Sequence, residues 1–213
     1  MKSKLKFYYT LLAAIFFVFL PILFFIRVDI PSRTFLKNII SIVTIISFFI
    51  IIGQFYLTRI NRSLNAILMV AKTIKIHKFL GYTFLPIFFI HPFLIVVPRY
   101  FEVGPNPIDS FIKMLTTFDN LGVLLGIIAW VLMLILGLTS MFRNRLNISY
   151  KTWKIFHGIL SLGFIIVASW HAINLGRHMD KSMIILTVFA VFIASFLLIK
   201  SYVFKASKVS NNG

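Results

Sequence analysis

The chain has 213 residues, of which 60% are hydrophobic and 13% charged, with a formal net charge of +17, and its mean hydropathy is +0.97. Those values exclude an ordinary soluble domain and are what a polytopic membrane protein requires. The absence of cysteine excludes disulfides, Cys-ligated iron–sulfur clusters and haem attached covalently through a C-x-x-C-H motif.

Crossing a hydrocarbon core takes roughly 20 apolar residues in a helix, and six runs meet that need, predicting an all-α, six-transmembrane-helix bundle. The first, Tyr8 to Ile26, follows Lys2, Lys4 and Lys6, which is how a signal peptide begins; no A-x-A-like cleavage site is present, so it reads as a retained helix. The second run is Ile39 to Leu57. The link from Arg59 to Lys78 comes next, with Leu64 to Val70 expected as a short interfacial helix. The third run, Phe79 to Val97, carries His91 and begins just after His77. From Pro98 to Asp119 the chain contains Gly104, Pro105 and Pro107 and reads as a loop with a short helix near Ser110 to Thr117. The fourth run is Leu121 to Phe142, the fifth, Trp153 to Ile173, holds His157 and His171, and the sixth is Met183 to Ile199. The polar and basic residues after it, ending Ser210, Asn211, Asn212 and Gly213, are expected to be disordered. Links this short leave a single domain, residues 1–213, with tails at 1–7 and 204–213.

The charges give an orientation. With both termini cytoplasmic, the inner face takes Lys2, Lys4, Lys6, Arg59, Arg62, Lys72, Lys75, Lys78, Arg143, Arg145, Lys151, Lys154, Lys200, Lys205 and Lys208, fifteen of the 22 basic residues. The outer links take Arg27, Arg33, Lys37, Arg99, Lys113, Arg177 and Lys181 together with all five acids, Asp29, Glu102, Asp109, Asp119 and Asp180. That asymmetry satisfies the positive-inside rule. The basic excess is then a topology signal in contact with the lipid bilayer, and no nucleic-acid partner is expected.

Four histidines carry the chemistry. His77 and His91 are fourteen residues apart, and so are His157 and His171. On a helix that is nearly four turns, about 21 Å, so both members of a pair leave from almost the same face. The third and fifth runs both lead outward, which matches His77 with His157 in depth and His91 with His171. Each couple can fill both axial positions of a haem iron, so His77, His91, His157 and His171 are the candidate cofactor-binding and metal-ligating residues for two haem b groups. Transport of a bare metal ion would instead call for ligands clustered at i and i+4.

The neighbours of the histidines have two readings each. Gly81, Gly158, Ser161 and Gly163 lower the helix surface where a porphyrin would lean, and small residues packing between helices account for them equally well. Phe84 and Phe164 stand midway between the paired histidines, fit to fill the interval or simply to pack. Lys75, Lys78, Lys151 and Lys154 on the inside, and Arg99, Tyr100, Arg177 and His178 on the outside, suit haem propionates or serve as interface anchors; His178 reads as a loop histidine. With no glycine-rich nucleotide motif and no Ser/His/Asp set, no catalytic residue is assigned, and electrons have to come from another protein.

Two stretches, HKFLGYTFLPIFFIHPFLIV at residues 77–96 and GLTSMFRNRLNISYKTWKIFHGILSLGFIIVASWHAI at residues 137–173, resemble the ferric reductase-like transmembrane domain, which includes ferric reductases, NADPH oxidases and the haem-binding membrane subunit of the methionine sulfoxide reductase system. The resemblance covers about Ile76 to Ile199, and its most specific part is W-x-x-x-H at Trp153 and His157 followed by His171. It implies a six-helix haem domain that passes electrons outward, with His77, His91, His157 and His171 matching the family's haem ligands. Ferric reductases and NADPH oxidases usually continue into flavin and NAD(P)H domains. This chain does not, so the resemblance implies an oxidoreductase component served by a cytoplasmic flavin reductase carrying FAD or FMN.

The expected function is transmembrane electron transport from that donor to an extracytoplasmic acceptor such as ferric iron, dioxygen or a redox protein, in a plasma (bacterial inner) membrane. The L-T-S element at Leu138 to Ser140 is similar to the methionine sulfoxide reductase subunit, a second candidate function from which His77 departs because that subunit commonly has arginine there. A quinol-linked cytochrome b also uses paired histidines on two helices, and a non-redox proton or ion transporter would use them for protons.

Overall fold

Uninterrupted apolar runs can satisfy their backbone groups in lipid only by folding into helices or closed barrels. The computed structural model, which describes residues 2–28, 30, 34–57 and 70–210, is helical with no strand among the described residues. Six helices are long and apolar enough to cross a membrane: Lys4–Arg27, Phe35–Tyr56, Val70–Tyr100, Leu121–Met141, Tyr150–Leu175 and Lys181–Tyr202. The protein is therefore a multi-pass, all-α membrane protein.

The first span is α1 (Lys2–Ala14) and α2 (Leu20–Arg27), joined by a π turn at Ile15–Phe19. Pro21 accounts for the wide turn, since it has no N–H for the Phe17 carbonyl and its ring crowds that oxygen. Helix α3 (Phe35–Tyr56) is the second span and α4 (Val70–Val96) the third. Hydropathy predicts that the third begins at Phe79, but the stretch from Val70 contains no proline or glycine to break a helix, and its lysines extend beyond the apolar run. His77 is consequently held within α4. The interfacial helix expected from Leu64 lies outside the described residues except for Val70, where α4 begins.

A short helix α5 (Pro107–Thr116) is capped by the Asn106 side chain, which accepts from the Ile108 N–H at 2.8 Å, and starts three residues before its expected position. Asn120 caps α6 (Leu121–Met141) and Ser149 caps α7 (Tyr150–Leu175), each accepting a backbone N–H at 3.1 Å. Helix α8 (Lys181–Ser210) runs past the sixth apolar stretch. Neither proline nor glycine occurs in residues 200–210, and extending an existing helix avoids the nucleation cost. Residues 211–213 lie outside the described residues.

The core forms where α3, α6, α7 and α8 meet, around Phe49 and Ile52, Met133, Ile165, and the small Ala190 and Ala194. Tyr56 crosses from α3 to donate its hydroxyl to the Ala190 carbonyl at 3.0 Å. Between α7 and α8, Gly158 makes room for the ring of Tyr202, whose hydroxyl donates to the Lys154 carbonyl at 2.8 Å. Gly158 thus serves helix packing. The first span lies at the edge, where Phe17 rests on Gly53, and of its described side chains Pro21 alone is buried.

At the ends of the spans, Lys37 in the first turn of α3 pairs with Glu102 beyond α4, and Thr34 donates to the same carboxylate at 3.1 Å. The Lys37 hydrogen bond is the main reason the Glu102 carboxyl is held below its ordinary value of 4.5, with Thr34 and the charges of Lys37 and Arg99 acting in the same direction against a burial effect that raises it. A carboxylate whose pKa is depressed by folding stabilises the fold above its ordinary pKa and loses that contribution as pH falls through the lowered one. The thermal midpoints of Glu102→Gln and wild type should accordingly differ at neutral pH and converge in acid. Gly158→Ala should cost about 1–3 kcal/mol through overpacking against Tyr202, read as a lowered midpoint of the detergent-solubilised protein.

Candidate functional site

Helices α4 and α7 carry the four histidines, yet they do not pack extensively on each other. Instead α4 packs on α3 and α6, α7 packs on α6 and α8, and the closest pairing in the bundle is α6 with α7. The interval between α4 and α7 is crossed by side chains in three tiers. At one end the rings of His77 and His157 meet edge to face with centroids 6.3 Å apart. In the middle, Phe88 meets Phe164 at 6.5 Å. At the other end His91 lies close enough to His171 for their charges to interact. Since 77 meets 157 and 88 meets 164, α4 and α7 run in the same direction.

The two helices hold their histidines differently. On α7, His171 Nδ1 is 2.8 Å from the Gly122 carbonyl oxygen, which can only accept, so Nδ1 carries the proton and Nε2 is left free. The ring reaches that oxygen because α6 has no side chain there: a Cβ at Gly126 would sit 2.6 Å from the imidazole, and one at Gly122 would sit 2.6 Å from Leu175. His157 Nδ1 is 3.2 Å from the Ser140 hydroxyl. The same imidazole stacks on Trp153 at 5.0 Å and 24°, while the Arg143 guanidinium lies 5.2 Å from the centre of the Trp153 ring.

On α4 the hold is looser. His91 Nδ1 is buried and has no hydrogen-bond partner, His77 is exposed, and Pro86 and Pro92 each remove a backbone donor from the helix. Trp130 on α6 ties itself to this part of α4 by donating Nε1–H to the Phe89 carbonyl at 3.1 Å. The ring of Phe93 stacks on Phe111 at 4.9 Å and ties α5 to this end of α4.

A metal between two imidazoles at about 2 Å per metal–nitrogen bond needs ring centroids roughly as far apart as those of His77 and His157, with the edge-to-face rings turned so that a nitrogen of each points inward. Among the described residues no group of three or more His, Asp, Glu or Cys side chains converges, so a bare ion would be poorly held. Two imidazoles per level suit a group that brings its own in-plane ligands, as haem does. The buried Nε of Arg143 and Nε1 of Trp153, beside His157, are donors with no partner, which suits the acidic edge of such a group. Of the other expected neighbours, His178 is buried and stacked on Phe25 at 4.1 Å, away from the histidine tiers, and Arg99 donates to Ser110 at 2.9 Å. Phe164 is buried in the core and faces Phe88; Phe84 packs beside them.

A family model described as ferric reductase like transmembrane component matches residues 12–168. The chain belongs to this family. The match to the ferric reductase-like family begins far earlier than the resemblance expected, taking in the first two spans with His77, His91 and His157, and ends three residues before His171. A relative 39% identical over 175 residues, 80% of this chain and 94% of its own, is an uncharacterized protein of Archaeoglobus fulgidus. No solved structure matches. Membership in the ferric reductase-like family points to redox work across a membrane.

Sequence reasoning missed Gly122 and Gly126, though G-x-x-x-G in an apolar run is a signal for close helix approach. It noted Ser140 only as part of a resemblance and placed Arg143 only as an anchor. Gly126→Ala should cost about 1–3 kcal/mol through overpacking and lower the thermal midpoint. Gly81→Ala, where a Cβ would meet only Gln54 Oε1 at 3.9 Å, should leave that midpoint nearly unchanged.

Proposed function

We propose that the chain is a single haem domain, residues 1–213, for transmembrane electron transfer, with His77 and His157 holding one haem b and His91 and His171 a second. The observation that supports this most is the approach of paired imidazoles at two levels between α4 and α7, whose backbones do not pack closely on each other. When bound, the two haems supply one-electron centres at two depths, linking a cytoplasmic flavin reductase carrying FAD or FMN to an extracytoplasmic acceptor such as ferric iron, dioxygen or a redox protein. Both termini are cytoplasmic in this reading, which puts the His77 and His157 level on the inner side of a plasma membrane.

The residues of the chain do three things here. His171 presents Nε2 with its tautomer set by the Gly122 carbonyl, and His157 presents Nε2 when its Nδ1–H donates to the Ser140 hydroxyl. The Phe88 and Phe164 rings keep the middle tier dry and apolar. Arg143 and Trp153 offer donors to carboxylates at the inner level. Among the described residues no acid lies within a span.

The purified protein should show a reduced-minus-oxidised b-type spectrum with two haems per chain. His91→Ala and His171→Ala should each leave one. Two haems retained in both variants would refute the pairing, and a colourless protein from haem-replete cells would refute the haem reading and favour proton or ion transport.

A further inference from the structure

The two α7 histidines have different Nδ1 partners, and their surroundings differ in a matching way. His171 meets a backbone carbonyl at 2.8 Å, an acceptor that cannot move without moving α6. His157 meets a side-chain hydroxyl at 3.2 Å, on the last turn of α6. A hydroxyl is a weaker and more adjustable acceptor than a helix carbonyl, and the His157 ring has a second support that His171 lacks. Trp153 lies parallel to it one turn earlier on α7, and Trp153 is itself flanked by Tyr150, stacked at 6.0 Å. The Arg143 guanidinium covers both rings, 4.9 Å from Tyr150 and 5.2 Å from Trp153.

The geometry points to Ser140 as a positioning residue for His157. Its Oγ accepts the Nδ1 proton, which fixes ring rotation and directs Nε2 to the ligand, while the Arg143–Trp153 stack fixes the ring plane. Ser140 does this for one level of the site alone, because the other level uses the Gly122 main chain, which no substitution at a side chain can mimic. The inference rests on the haem reading above. An acceptor on Nδ1 raises the basicity of a ligating imidazole and stabilises the oxidised metal; its removal typically costs about 10–100-fold in affinity.

Spectroelectrochemical titration of the full-length protein, with haem per chain measured at limiting haem supply, tests this. Ser140→Ala keeps a good helix former in α6, so the fold is not at stake, and Ser140→Thr keeps the hydroxyl. In Ser140→Ala one of two components should shift to higher potential and lose occupancy by about 10-fold or more, with the other component unmoved; Ser140→Thr should restore both properties. Equal shifts of both components would mean a general loosening of the bundle and would overturn the assignment. So would two unmoved components in Ser140→Ala when His157→Ala has lost one haem. If His157→Ala keeps both haems, the underlying ligand reading fails instead, and the two failures are told apart by that control.

Discussion

Helix α6 approaches α7 so closely that one backbone carbonyl, that of Gly122, reaches a side chain on its neighbour, and much of the remaining architecture follows from this contact. In lipid there is no hydrophobic drive between helices, so association depends on close packing and on polar contacts that water cannot contest. Gly122 and Gly126 supply the packing by admitting Leu175 and His171, which are likewise four residues apart. The polar contact satisfies His171 Nδ1 without breaking a helix bond, because a carbonyl already engaged in its helix has a second lone pair to offer. With α6 and α7 locked in this way, α8 docks on α7 through the Gly158 and Tyr202 contact, and α3 closes the core against α8 through Tyr56.

The same arrangement separates two duties that are often shared by one set of residues. The α6–α7 pair holds its histidines by hydrogen bonds and stacking, so their orientation is set before anything binds. The α4 histidines face them from a helix with two internal prolines, across an interval that no extensive helix contact closes. Under the proposed haem reading, the rigid half would present ligands and the opposing half would complete the set.

Much of this was legible in the sequence, and what was not has identifiable causes. The six spans follow from hydropathy because lipid imposes one secondary structure on a long apolar run. Their ends are less legible: α4 begins early and α8 ends late, since lysine-bearing segments that hydropathy excludes are still good helix. The histidine tiers could be anticipated because a spacing of fourteen residues is a property of one helix, and matching two of them needs only the chain direction. Tertiary detail was out of reach. Nothing in the spacing says that Gly158 belongs to Tyr202, that His178 turns inward onto Phe25, or that Ser140 reaches His157, because each joins elements whose rotation about their axes is fixed only by packing.

The hairpin formed by α6 and α7 has a consequence for how the bundle assembles. Its two helices are neighbours in the chain, separated by the short turn around Arg143–Arg145, so their contacts are local and inexpensive in loop-closure entropy. Half of the ligand set can therefore be ordered while the rest of the chain is still being arranged. The opposing wall belongs to a helix earlier in the sequence, so under the proposed reading a flat group would have that side through which to enter. In the haem reading proposed above, closure rather than threading would be the route by which the group is taken up.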